Sequence, residues 1–125
     1  MIEYRNEHDS LGEIEIEATA YYGANTLRAH KNFEITGKNM DDKLLDAIVE
    51  VKKACAIENE KIGLLPSEKK DAIVAACNQI LSGSYRKYFI VDPIQGGAGT
   101  SFNMNANEVI ANVANTAMGG GLGTY

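Results

Sequence analysis

The sequence predicts a mainly helical protein with a small β-containing or irregular N-terminus. Three segments repeat apolar residues at steps of three and four, each bounded by residues that start or stop helices. Only one short run, Leu11 to Glu17, alternates apolar and acidic residues as a half-buried strand does. A glycine-rich stretch near residue 97 breaks the helical pattern once.

Taken in order, residues 1–10 are polar and read as loop. Ile14 and Ile16 alternate with Glu13, Glu15 and Glu17, which gives the strand one buried face. A short helix spans Gly23 to Phe33. The strongest helical signal follows Gly37, where Leu44, Leu45, Ile48, Val51, Cys55 and Ile62 recur at helical spacing. Asn39 or Asp41 caps its start and Gly63 its end. Leu65-Pro66-Ser67 opens the next helix with Ser67 as N-cap; Ile73, Val74, Cys77, Ile80 and Leu81 form its apolar face and Gly83 stops it. The two helices make a hairpin. Tyr88 to Val91 is too short to assign, and Asp92-Pro93 turns the chain because proline disfavours helix at the residue before it. The last helix is expected to start near Asn105, with Asn105 and Glu108 as a capping box. Ala106, Val109, Ile110, Val113 and Ala117 line its apolar face, before Gly119-Gly120-Gly121.

A chain of 125 residues with 45% hydrophobic content can build one cored domain. A formal net charge of −5 argues against nucleic acid as a partner, since phosphate backbones are held by basic surfaces. No apolar run at the N-terminus resembles a signal or a membrane span, so no membrane partner is expected and the cytoplasm is the expected location. Cys55 and Cys77 read as reduced core cysteines, and with His8 and His30 they match no zinc spacing. Tyr21 and Tyr22 read as packing residues. Lys52, Lys53, Lys69 and Lys70 read as solvated helix faces, and neither histidine is assigned a role.

The chemistry concentrates in Gly96-Gly97-Ala98-Gly99-Thr100-Ser101. Glycines let the backbone turn sharply and approach a ligand, two hydroxyls follow, and a helix start follows those. Unpaired N–H groups and the positive dipole end suit a small anion, carboxylate or phosphate. The same residues also fit a flexible helix-entry loop, and the loop alone does not decide between the two. A dinucleotide site fits poorly: Phe102 occupies the position of the third glycine, and Asp92-Pro93 separates the apolar run from the loop. No Lys-Ser or Lys-Thr follows the glycines, so a Walker loop fails as well. Asn103, Asn105 and Asn107 could each present an amide to a ligand.

Two stretches resemble the aspartase/fumarase superfamily. One runs from Tyr4-Arg5-Asn6-Glu7-His8-Asp9 through Tyr21-Tyr22-Gly23-Ala24 to Asn32-Phe33. The other runs from Asp92-Pro93-Ile94-Gln95 through the glycine loop to Asn103-Met104-Asn105-Ala106-Asn107-Glu108-Val109-Ile110-Ala111-Asn112. Ala98 and the Asp92–Gln95 segment are similar to the aspartase branch, where class II fumarases usually have a serine and a Trp-Gln-Thr segment. The resemblance implies an N-terminal lyase domain over 1–112 and a divergent glycine-rich tail over 113–125. It implies cofactor-free, reversible elimination of ammonia from L-aspartate to give fumarate. Thr100, Ser101 and Gly99 would bind the dicarboxylate. The serine base and the remaining binding segments have no counterpart here, so no catalytic residue is assigned and the chain alone is expected to be inactive. Homo-oligomers or complementing lyase chains are the implied partners, because sites of this superfamily draw on three subunits. A fragment of a class II fumarate hydratase and a noncatalytic self-associating domain are the alternatives. Glu17, Glu34, Asn25, Phe102 and Val113 depart from the usual pattern of the superfamily.

Overall fold

A computed structural model describes residues 1–124. Strands β1 (Tyr4–Asp9) and β2 (Gly12–Glu17) precede helices α1 (Ala24–Asn32), α2 (Asp42–Lys61), α3 (Ser67–Leu81) and α4 (Thr100–Ala117), with a 3₁₀ turn at Arg86–Tyr88 between α3 and α4. The mainly helical reading with a small β-containing N-terminus therefore holds.

Residues 4–9, read as loop, are a strand. They pair antiparallel with β2 in a register running from Tyr4↔Glu17 to Asp9↔Gly12. The strand was hidden because its inward residues are Arg5, Glu7 and Asp9 rather than apolar ones. Polar inward groups survive here because each is paired. The Arg5 guanidinium donates to the carbonyls of Glu17, Ala18, Ala20 and Tyr22 and to Glu7 Oε1. Asp9 pairs with Arg28 of α1 at 2.9 Å. On β2 the expected face is observed, with Ile16 fully buried.

α2 starts as its sequence implies, since Asp41 Oδ1 accepts from the N–H groups of Lys43 and Leu44. It stops at Ile62, followed by Gly63 at φ +78°, a conformation that side-chain-bearing residues avoid. Its buried residues are Leu45, Val49 and Ala56. Leu44, Val51 and Ile62, expected in the core, point outward at 49%, 58% and 67% exposure. α2 is thus apolar on two faces, and periodicity by itself ran them together. Ser67 is not the cap of α3. It is the first helical residue, behind Pro66, and its hydroxyl donates to Glu60 Oε1 across the hairpin turn at 2.7 Å.

α4 is the central element. Phe102, Ala106, Val109, Ile110, Val113 and Ala114 are buried on it, together with Leu45 and Val49 of α2, Ala76, Cys77 and Ile80 of α3, and Phe89 and Val91 before the glycine loop. Phe89 and Phe102 meet edge-on with centroids 6.4 Å apart. Tyr21 and Tyr22 pack in a tyrosine cluster with Tyr85 and Tyr88. Only one of the two cysteines belongs to the core. Cys77 is fully buried, whereas Cys55 is exposed, at the mouth of a cleft shared with Ile73 of α3 and Ile110 of α4. Burial pushes the Cys77 thiol up to about 11, so it stays protonated at neutral pH. A thiol-labelling reagent is expected to modify Cys55 in the folded protein and Cys77 only after denaturation; equal labelling rates would contradict this placement.

Candidate functional site

The segment between Val91 and α4 is fixed at both ends by side chains. Asp92, 4% exposed, accepts hydrogen bonds from the N–H groups of Ile94 (2.9 Å), Thr36 (2.7 Å) and Gly37 (3.0 Å) and from the Thr36 hydroxyl (2.9 Å). Burial pushes the Asp92 carboxyl up, but the bonds from Ile94, Thr36 and Gly37 outweigh it and the net direction is downward from 3.8. A carboxyl depressed on folding stabilises the protein above its unfolded value, and that contribution is lost as pH falls through the folded value. After correction for intrinsic exchange, amide protection at Thr36, Gly37 and Ile94 should therefore fall in acid in wild type but not in Asp92→Asn. Identical profiles for the two proteins would refute the assignment.

Gln95 closes the other end. Its Oε1 accepts from the Phe102 N–H at 2.8 Å, and its Nε2 donates to the Asp92 carbonyl at 3.2 Å. Gly96 lies against Phe33, where an added Cβ would sit 2.8 Å from the ring. Gly97 and Gly99 hold φ of +65° and +87°, so the chain reverses into a helix whose first residue is Thr100. The start expected near Asn105 thus lies five residues too late. The glycines disguised the first turn, and Asn105-x-x-Glu108 imitated a local cap.

Both residues of that supposed cap are buried inside the helix and act at a distance. Asn105 Oδ1 accepts from the N–H groups of Ile90 (3.0 Å) and Val91 (3.4 Å), and its Nδ2 donates to the Tyr88 carbonyl at 2.9 Å. Glu108 accepts from the N–H groups of Gly23 (2.8 Å), Asn25 (2.9 Å) and Thr26 (3.1 Å) and from the Thr26 hydroxyl (2.5 Å). With Glu7 Oε2 on the Ala24 N–H at 3.0 Å, the N-terminus of α1 is fully occupied by the protein's own carboxylates.

The N-terminus of α4 is the opposite. Gln95 takes the Phe102 N–H and the Gly99 carbonyl takes that of Asn103. Among the described residues, the N–H groups of Thr100 and Ser101 and both of their hydroxyls have no hydrogen-bond partner. Thr100 is exposed and Ser101 half-buried. The structure thus brings Gly99, Thr100 and Ser101 together at an open, positively polarised helix end that can accept an anion. Asn103 lies on the same face as Thr100. Lys52 of α2, read as a solvated lysine, is half-buried and donates from Nζ to Asn103 Oδ1 at 2.6 Å. Nothing in the local sequence around Lys52 signals this cross-helix contact.

A cavity of about 500 Å³ lies elsewhere, between the hairpin, the start of α1 and the middle of α4. Its carboxylates are already committed: Glu7 to Arg5 and Ala24, Asp9 to Arg28, and Glu108 to α1. A cleft of satisfied acids does not suit an anionic ligand, so the open turn at Thr100 is the better candidate. Among the described residues no cluster of metal-ligating side chains occurs, and no helix is long and apolar enough to cross a membrane.

The family described as "Lyase" matches residues 12–121, and the chain belongs to it; its helical core and small N-terminal hairpin are those of the aspartase/fumarase fold. It is 53% identical over 123 residues to the aspartate ammonia-lyase of Bacillus subtilis, covering 98% of this chain and 26% of that protein. It is also 48% identical over 121 residues to a class II fumarate hydratase of Halobacterium salinarum, covering 97% of this chain and 26% of that protein. Among solved structures, the fumarate lyase:delta crystallin of Brucella melitensis superimposes with a TM-score of 0.96 at 49% identity, covering 98% of this chain and 27% of that one. The chain spans about a quarter of the length of the relatives it matches.

Proposed function

We propose that the chain supplies one wall of a composite ammonia-lyase site, at which L-aspartate loses ammonia to give fumarate. The observation that carries this reading is the open first turn of α4, where two N–H groups and two hydroxyls at Thr100 and Ser101, behind Gly99, have no partner among the described residues. It sits in a chain 53% identical to an aspartate ammonia-lyase over 123 residues. In the reaction a base takes the proton from the carbon next to the side-chain carboxylate. Charge then builds on that carboxylate as an aci-carboxylate while ammonia leaves the adjacent carbon. Donors aimed at the growing charge lower the barrier, and this turn is such a donor element. The base and the remaining donors belong to other segments of the family's subunits, contributed by complementing chains or by an oligomer in the cytoplasm. No cofactor enters this scheme.

The chain alone is expected to leave aspartate unchanged, because acid–base catalysis contributes about 10²–10⁴-fold and positioning contributes more. Mixed with the remaining three quarters of the Bacillus subtilis enzyme, it is expected to produce fumarate, followed by ultraviolet absorbance. Thr100→Ala should lower that rate by about tenfold or more, the effect of losing one hydrogen bond to a charged group. An associated but inactive mixture would refute the lyase reading. Turnover of malate in place of aspartate would establish the fumarase alternative, which the Halobacterium salinarum relative keeps in view.

A further inference from the structure

We infer that Asn103 is a second substrate-binding residue on α4 and that Lys52 positions it. The inference rests on the proposed dicarboxylate site at Thr100 and extends it one helical turn.

Three asparagines follow the glycine loop at alternate positions, and the structure separates their roles. Asn105 is consumed in holding Tyr88, Ile90 and Val91. The Asn107 amide donates to Met104 Sδ at 3.6 Å. Asn103 alone of the three pairs its oxygen with a cation, Lys52 Nζ at 2.6 Å. An ammonium has donors and no acceptor, so this contact dictates which end of the amide faces the lysine. The Oδ1 atom is tied down and the NH₂ group is turned away from Lys52. Among the described residues that NH₂ group has no acceptor, and it lies on the same helix face as Thr100. Residues three apart on a helix place their Cβ atoms about 5–6 Å from each other. Donors at Thr100 and Asn103 are therefore spaced to take the two ends of a short trans dicarboxylate.

The charge arrangement supports the same assignment. Among the described residues no carboxylate lies within salt-bridge distance of Lys52. A half-buried cation beside the positive end of a helix is held there against the helix dipole. A dianion bound along Thr100 and Asn103 would compensate both. Lys52 acts through Asn103 and by its field, while Asn103 itself touches the substrate.

The test is titration of the ¹⁵N-labelled chain with fumarate and with crotonate, the trans monocarboxylate in which a methyl group replaces one carboxylate. Fumarate is expected to shift the Asn103 side-chain NH₂ signals together with the Thr100 and Ser101 amides; crotonate is expected to bind more weakly. Asn103→Ala should weaken fumarate about tenfold, to the level of crotonate, and leave crotonate unchanged. Lys52→Met should weaken fumarate several-fold, and Lys52→Arg, which keeps the donor and the charge, should restore it. A dispersed amide spectrum in each variant establishes that it is folded; an unfolded Asn103→Ala is replaced by Asn103→Ser. If Thr100→Ala abolishes fumarate shifts while the Asn103 variant binds as wild type, the inference fails and the proposed site stands. If fumarate shifts none of these residues up to its solubility limit, both fail. Equal loss of fumarate and crotonate binding in the Asn103 variant would also overturn the two-ended arrangement.

Discussion

Replacing Glu108 by alanine is expected to destabilise the protein by about 3–5 kcal/mol, since buried donors left without acceptors cost about 1–3 kcal/mol each. Glu108 is 4% exposed and satisfies three backbone N–H groups and one hydroxyl at the start of α1. A typical domain has only about 5–15 kcal/mol in total, so a loss of this size would bring the variant near its unfolding midpoint. Glu108→Gln keeps one acceptor oxygen of the same reach and should lose less. Urea unfolding gives the difference directly, and hydrogen exchange should locate it at residues 23–26. A midpoint unchanged in the alanine variant would mean that the α1 terminus is satisfied by other means.

The second large effect is expected at Asn105. Asn105→Leu preserves roughly the volume of a fully buried side chain but strands the N–H groups of Ile90 and Val91 and the carbonyl of Tyr88. The expected loss is about 2–4 kcal/mol. It should not stay local, because residues 88–91 lead directly into the glycine loop. Amide shifts in the variant should spread through 92–99 and reach Thr100. A destabilised variant with an unaltered loop would show that the loop is held by Asp92 and Gln95 alone.

These two residues also explain how far the sequence could be read. Helices α1, α2 and α3 were legible because their signals are local: helical spacing, the Asp41 cap, and glycines at 63 and 83. The glycine loop was legible for the same reason, and its residues do meet at one helix end. β1 was not, since its inward side chains are Arg5, Glu7 and Asp9, whose partners lie up to 19 residues away. The start of α4 was misplaced because Asn105 and Glu108 copy a pattern that normally serves the nearest backbone. Here they serve backbone 14–17 and 82–85 residues distant. Lys52 was read as solvent-facing because the acceptor that binds it lies 51 residues further on. Spacing within a segment reports which face is apolar; it does not report which polar group on another segment will need a partner. The outward face of α2 shows the same limit from the apolar side: Leu44 and Val51 obey the helical spacing as well as Leu45 and Val49 do.

The bond between Glu108 and α1 also bears on the order in which the protein is made. Chains are synthesised from the N-terminus at about 5–20 residues per second, and segments begin to organise as they emerge. α1 leaves the ribosome long before the carboxylate that completes its first turn, which lies 82–85 residues downstream. Asn112, whose Nδ2 holds the Tyr21 carbonyl at 2.8 Å, comes later still. A nine-residue helix is too short to persist by itself in water. The α2–α3 hairpin, closed by short-range contacts, is therefore the part able to form early. The first turn of α1 must wait for α4 to dock, so residues 23–26 acquire their native hydrogen bonds after the local hairpins have formed.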